Sequence, residues 1–173
     1  MSEPTQPLPK HERMQIPRQE MPTQDAQARA RNFNEVALGY PEETAMLEAA
    51  RCLQCKRPKC IEGCPVNVNI PAFIGFLRDG DLPGAVRSLK GDNNLPAICG
   101  RVCPQETQCE VLCVMGKKHE PVAIGRLERY VADWDLAHPS PPPEVTPSAR
   151  RGRVAVIGSG PAGLTCAGDL ARY

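Results

Sequence analysis

Residues 52–65 read CLQCKRPKCIEGCP and residues 99–113 read CGRVCPQETQCEVLC, and together they hold eight of the chain's nine cysteines. The first stretch is Cys52-x2-Cys55-x4-Cys60-x3-Cys64-Pro65, and the second is Cys99-x3-Cys103-Pro104-x5-Cys109-x3-Cys113. Thiolates two to four residues apart can converge on one soft metal centre, and two such groups carry enough sulfur for two centres. Cys60 and Cys64, Cys99 and Cys103, and Cys109 and Cys113 have the spacing that puts two side chains on one helix face. Proline after Cys64 and Cys103 pushes those two residues out of helical geometry, so their sulfurs can serve a different centre from their neighbours.

Three chemistries compete for these thiols. Structural zinc favours two tight knuckles parted by a longer loop, and here only Cys52-x2-Cys55 is tight. A closed disulfide framework sits badly with an odd cysteine count. The Cys-Pro pairs and the four thiols between residues 52 and 64 favour iron–sulfur clusters. Spacing alone leaves open which sulfur serves which centre and whether Cys99 is a ligand or a bystander. Arg51, Lys56, Arg57 and Lys59 crowd the first group, where cations would stabilise the reduced form of an anionic cluster or simply face solvent. His11, His119 and His138 stand in polar surroundings without an assigned role. No residue stands out as a general acid, base or nucleophile.

Bulk properties fit a carrier of this kind. The chain has 173 residues and a net charge of +1, so nothing in its charge calls for a nucleic-acid partner. Seven aromatics (three Phe, three Tyr, one Trp) leave the core to aliphatic side chains and to the folding free energy of metal sites. No apolar run is long enough to span a bilayer, and residues 1–20 lack the apolar stretch of a secretory signal. A cytoplasmic, reducing setting follows, where clustered cysteines serve metals more often than disulfides.

Periodicity predicts a mainly α fold. Residues 1–24, with five prolines, read as an extended tail without a core of its own. Ala26, Ala30, Phe33 and Ala37 predict a helix from Asp25 that stops at Gly39. Pro41 opens a second helix whose stripe of Met46, Ala49, Ala50 and Leu53 runs into Cys52 and Cys55. Pro71–Asp79 should bury Phe73, Ile74 and Leu77 and end at Gly80. Asp81 caps a further helix with Ala85, Val86 and Leu89, ending near Gly91. A turn or two of helix over 106–114 would carry Cys109 and Cys113. A longer helix over 122–136 uses Ile124, Leu127, Val131 and Trp134. The domain boundaries expected are a Pro-rich tail at 1–24, a helical metal domain at 25–137, a Pro-rich linker at 138–151 and a further unit from 152 to 173.

That last unit carries the second motif. Val154–Ile157 has the character of a buried strand, and Gly158-x-Gly160-x-x-Gly163 precedes a helical stretch. Strand, GxGxxG and helix open a dinucleotide-binding βαβ unit: a tight turn, close approach of backbone to pyrophosphate, and helix packed on strand. The acidic residue that would complete it lies beyond residue 173. Without it the unit is a truncated first βα of a Rossmann-type fold whose helix shows an unburied apolar face. Cys166, in that helix, is expected to pack as a small apolar residue.

Taken in order, NFNEVALGYPEETAMLEAARCLQC, CPVNVNIPAFI, ICGRVCPQETQCEVLC, PVAIGRLERYVADW and VAVIGSGPAGL closely resemble the N-terminal part of the glutamate synthase small (β) subunit family. That family includes the large subunit of NADH-dependent ferredoxin:NADP oxidoreductase (sulfide dehydrogenase) and the N-terminal region of dihydropyrimidine dehydrogenase. The resemblance covers residues 14–173. It implies an α-helical ferredoxin-like domain with two [4Fe–4S] clusters, followed by an FAD-binding Rossmann unit. It also implies electron relay between NADPH, FAD and a partner, either a glutamate synthase large subunit or another redox subunit. The ligand sets it implies are interleaved: Cys52, Cys55, Cys60 and Cys113 for one cluster, and Cys64, Cys103, Cys109 and Glu128 for the other. It makes Cys99 a non-ligand and Gly158, Gly160 and Gly163 the FAD loop. Glu128, where the pyrimidine branch has Gln, implies the glutamate synthase-like branch. An oxygen ligand is harder than thiolate and should favour the oxidised cluster. Without the resemblance, Glu128 reads as a surface carboxylate paired with Arg129 or Lys118. The NADPH domain and the rest of the FAD segment are not in this sequence, so the 173 residues alone should be catalytically incomplete. Behind the glutamate synthase assignment stand the ferredoxin:NADP or sulfide dehydrogenase role and then pyrimidine reduction. A non-enzymatic four-cysteine zinc module is the alternative of another class.

Overall fold

A computed structural model of the chain describes residues 8–139 and 152–172. The helices are α1 (Lys10–Arg13), α2 (Ala26–Arg29), α3 (Glu42–Ala50), α4 (Lys59–Glu62), α5 (Ile70–Arg78), α6 (Leu82–Asp92), α7 (Pro96–Val102), α8 (Ile124–Ala137) and α9 (Pro161–Leu170). Short 3-10 turns span Gln105–Thr107 and Val114–Lys117. Among the described residues there is no strand, and one isolated antiparallel bridge joins Thr23 to Ala37.

The core forms where amphipathic stripes meet. Ala45 and Ala49 of α3, Phe73, Ile74 and Leu77 of α5, Ala85 and Leu89 of α6, and Leu127 and Val131 of α8 are all buried. Burying a large aliphatic or aromatic side chain of this kind contributes roughly 1.5–3 kcal/mol. Local signals set the boundaries. Asn69 and Asp81 cap α5 and α6 through side-chain bonds to Ala72 N and Gly84 N. Gly80 leaves α5 at φ +78°, a conformation that favours glycine. Helices α7 and α8 approach closely because residue 100 has no side chain: a Cβ on Gly100 would lie 2.6 Å from the backbone nitrogen of Arg129.

Beneath these helices lies a buried ion pair. Glu48 Oε1 accepts from Arg51 Nη1 (2.6 Å) and from the Ala123 amide (2.7 Å), and Oε2 accepts from the Gln19 amide (2.8 Å). Arg51 also donates to the carbonyls of Ile16, Glu120 and Pro121. The pair therefore ties α3 to the N-terminal segment and to the approach of α8. A desolvated pair is stable only when so fully hydrogen-bonded.

Several expectations need correction. The N-terminal segment lacks its own core but is docked: Arg13 donates to Cys52 O (3.1 Å), Arg18 to Glu110 (2.7 Å) and Tyr40 Oη to Gln19 O (2.7 Å). The helix begun at Asp25 lasts only to Arg29, and Phe33 is fully exposed. Asn32 and Asn34 break it: Asn32 Oδ1 accepts from the Asn34 amide (2.8 Å), a local bond that competes with the helix ladder. Helix α3 ends at Ala50 and does not carry Cys52 or Cys55, which lie on a loop where Gln54 takes φ +51°. Cys109 and Cys113 sit in turns between the 3-10 segments rather than on a helix. Arg51 is buried in the ion pair and is no part of a cationic face, whereas Lys56 and Arg57 are exposed and Lys59 pairs with Glu62 (2.7 Å). The expected strand at 154–157 is not formed, and Val154, Val156 and Ile157 are exposed, because the described residues offer no neighbouring strand to pair with. Cys166 is likewise exposed rather than packed. The linker expected at 138–151 lies outside the described residues from residue 140 onward.

Candidate metal centre

Cys52, Cys55, Cys60 and Cys113 line one cavity. Its other walls are Leu53, Ile70, Ile74, Leu112, Val114, Met115, Val122, Ile124 and two prolines, with Lys59 as its one charged residue. The loop after α3 delivers Cys52 and Cys55, α4 delivers Cys60, and the turn before Val114 delivers Cys113. Burial raises the Cys52 thiol above its ordinary pKa, reinforced by Cys113 and Cys55. Cys60 is pushed up to about 12 by burial first and then by Cys52, Cys113 and Cys55. Burial of this kind disfavours a bare thiolate, and a bound cation would offset that cost. Gln54 Nε2 reaches Cys52 Sγ (3.5 Å) while bonded to Pro71 O (2.9 Å).

The remaining thiols gather elsewhere. Cys103, at the C-cap of α7, is extended (φ −64°, ψ 138°), as a residue before proline should be. It is pushed up to about 11 by burial and then by Cys99, Glu128 and Cys64. Cys109 is pushed up to about 12 by burial and then by Glu110, Cys64 and Glu128. Cys64 belongs to this neighbourhood because the two cysteine segments touch: a Cβ on Gly63 would lie 2.6 Å from Gln108 O and 3.1 Å from Cys109 Cα. Glu128, largely buried on α8, rises to about 7 by desolvation, opposed by its hydrogen bond from Asn93. Asn93 Nδ2 donates to Glu128 Oε1 at 2.8 Å. The surface pairing with Arg129 or Lys118 is not found, since Arg129 is engaged by Glu35 and Asp133.

The structure thus brings the eight implied ligands into two neighbourhoods, each drawing on both cysteine segments. Sequence reasoning missed Asn93, Gln54 and Glu48, which no local spacing marks. Among the described residues, no three His, Cys, Asp or Glu side chains close around a single ion. Thiolates on one zinc lie roughly 3.8 Å apart, given bonds of about 2.3 Å in a tetrahedron. In a [4Fe–4S] cluster each thiolate binds a different iron, so the ring is wider. Four sulfurs around an apolar cavity fit that group, and three thiols beside a carboxylate fit a cluster with one oxygen ligand.

In the glycine loop the backbone comes close to itself. Gly158 takes φ +108°, and a Cβ on Gly163 would collide with the Gly158 carbonyl. Helix α9 starts directly after it and rests on the metal domain: Asn94 Nδ2 donates to Asp169 Oδ1 (2.7 Å), and Arg172 donates to Lys90 O (3.1 Å). Among the described residues, no helix is long and apolar enough to cross a membrane.

Known proteins resemble this chain over most of its length. The chain is 40% identical over 147 residues to the putative oxidoreductase AegA of Escherichia coli (strain K12), covering 84% of this chain and 22% of that protein. It is 41% identical over 149 residues to the glutamate synthase [NADPH] small chain of Azospirillum brasilense, covering 84% and 30%. It is 34% identical over 138 residues to the NAD-dependent dihydropyrimidine dehydrogenase subunit PreT homolog of Salmonella typhi, covering 76% and 32%. The chain therefore spans a minor part, between 22% and 32%, of the length of these relatives. Residues 29–139, which contain both cysteine segments and Glu128, match the profile of the dihydropyrimidine dehydrogenase domain II 4Fe-4S cluster family, and the chain belongs to that family.

Proposed function

We propose that this chain is the electron-transfer portion of an NAD(P)H-dependent iron–sulfur flavoprotein oxidoreductase of the glutamate synthase small-chain type. One observation carries the reading: Cys113, from the second segment, shares a cavity with Cys52, Cys55 and Cys60 of the first. That crossing supports an interleaved pair of ligand sets, Cys52, Cys55, Cys60 and Cys113 for one cluster and Cys64, Cys103, Cys109 and Glu128 for the other.

When bound, a [4Fe–4S] cluster accepts and releases single electrons. The protein's part is to hold it, exclude water and set its surroundings. Around the first set, Ile70, Ile74, Val122 and Ile124 keep solvent from the sulfurs. Around the second, Asn93 and Glu110 offer a polar border. Gly158, Gly160 and Gly163 would accept the pyrophosphate of FAD, as the first βα unit of a Rossmann fold does when its sheet is complete. NADPH would bind in a domain this sequence does not contain. The domain division proposed remains 1–24, 25–137, 138–151 and 152–173, with a glutamate synthase large subunit, or another redox subunit, as the electron partner.

Anaerobic purification tests the reading. Brown protein that contains iron and acid-labile sulfide and bleaches with reductant is expected. Colourless protein with stoichiometric zinc would end the relay and leave an interaction module.

A further inference from the structure

Asn93 lies between α6 and α7 and is buried. Its backbone N–H donates to Leu89 O (3.0 Å), closing α6. Its side-chain Oδ1 accepts from the Leu95 amide (2.9 Å), and the Cys99 thiol approaches the same oxygen at 3.8 Å. A backbone N–H can only donate, so the Leu95 contact fixes which end of the Asn93 side chain is oxygen. The amide nitrogen must then face α8, where it donates to Glu128 Oε1 at 2.8 Å. Asn93 is thus pinned from both sides and presents a fixed donor to one oxygen of a carboxylate that stands among Cys64, Cys103 and Cys109.

We propose that Asn93 is a positioning residue for the second cluster: it occupies Glu128 Oε1, leaves Oε2 as the oxygen that meets iron, and draws electron density away from the bond so formed. The proposal rests on Glu128 being an iron ligand. A donor held on the outer oxygen of a ligating carboxylate orients it and weakens its donation to the metal, which favours the reduced cluster. In the first set the side-chain donor near a ligand is Gln54, whose Nε2 reaches the Cys52 sulfur at 3.5 Å rather than a carboxylate oxygen.

The test uses the full-length protein, reconstituted anaerobically with iron and sulfide, in wild-type, Asn93→Ser, Asn93→Asp and Glu128→Ala forms. Asn93→Ser keeps an oxygen for the Leu95 amide and loses the donor to Glu128. Asn93→Asp keeps the shape and turns the donor into an acceptor. Redox titration followed by EPR, with Mössbauer spectra, should show one cluster altered and the other unchanged. The midpoint potential of the altered cluster should fall in Asn93→Ser and fall further in Asn93→Asp. A chelator such as bathophenanthroline should strip its iron about tenfold faster. If Glu128→Ala changes one cluster while both Asn93 variants match wild type, the ligand reading stands and the positioning role is overturned. If Glu128→Ala changes neither cluster, the ligand reading itself fails. Equal shifts in both clusters, or loss of the helical circular-dichroism signal in both Asn93 variants, would make Asn93 a folding residue and overturn the proposal.

Discussion

The cavity ringed by Cys52, Cys55, Cys60 and Cys113 is walled by aliphatic side chains, prolines and a methionine, with Lys59 its one charge. The neighbourhood of Cys64, Cys103 and Cys109 is bordered by two buried or half-buried carboxylates, Glu110 and Glu128, and by the amide of Asn93. Both draw on the same two chain segments, so their difference does not come from topology. It comes from what α8 contributes: Ile124 to the first site and Glu128, four residues on, to the second. Apolar walls give a cluster few hydrogen bonds and a low dielectric, whereas a polar border supplies donors that shift its potential. If each site holds a cluster, two centres built this differently should have unequal midpoint potentials.

The comparison breaks most visibly at the crossing. Cys113→Ser should abolish the first cluster and spare the second, and Cys109→Ser should do the reverse, read by iron content and EPR. If both substitutions removed the same cluster, the two sites would not be interleaved. Next in size, Glu48→Ala leaves Arg51 buried without its partner, and should cost about 3–5 kcal/mol in anaerobic denaturant unfolding. Because Arg51 adjoins Cys52 and Glu48 holds Ala123 at the start of the helix that carries Glu128, both clusters should be weakened. Gly100→Ala forces a side chain against the backbone of Arg129 and should cost about 1–3 kcal/mol. Here the loss should be unequal, since the spacing of α7 and α8 sets Cys103 against Glu128; iron release from the second cluster should rise first. Smallest is Cys99→Ala, which removes a weak thiol contact to Asn93 at 3.8 Å and a thiol–thiol contact with Cys103. It should keep both clusters and shift stability by less than about 1 kcal/mol.

Much of the scaffold is legible in the sequence alone. Helices α5, α6 and α8 announce themselves through apolar stripes, the Asp81 cap and the stop at Gly80, because burial and capping act over a few residues. The extended Cys103 was readable from Pro104 for the same reason. Errors arose where distant partners overrode local pattern. Ala26, Ala30, Phe33 and Ala37 have helical spacing, yet Glu35 and the Ala37 carbonyl are claimed by Arg101 and Arg129 from α7 and α8. Arg51 looked like a cation for a cluster and instead neutralises Glu48. Helix α7 went unread although Pro96 opens it, since its seven residues make less than one clear stripe. The implied ligand sets came from resemblance, not spacing. Asn93 was invisible because its role depends on a residue 35 positions away.

The sharing of one cavity by Cys113 and three cysteines encoded far upstream also constrains synthesis. If those four cysteines hold one cluster, a ribosome that has released Cys52, Cys55 and Cys60 has produced three quarters of a binding ring and nothing that can close it. Iron delivered at that moment meets an open, oxygen-sensitive partial site, so assembly factors should engage the chain after the second segment has left the exit tunnel.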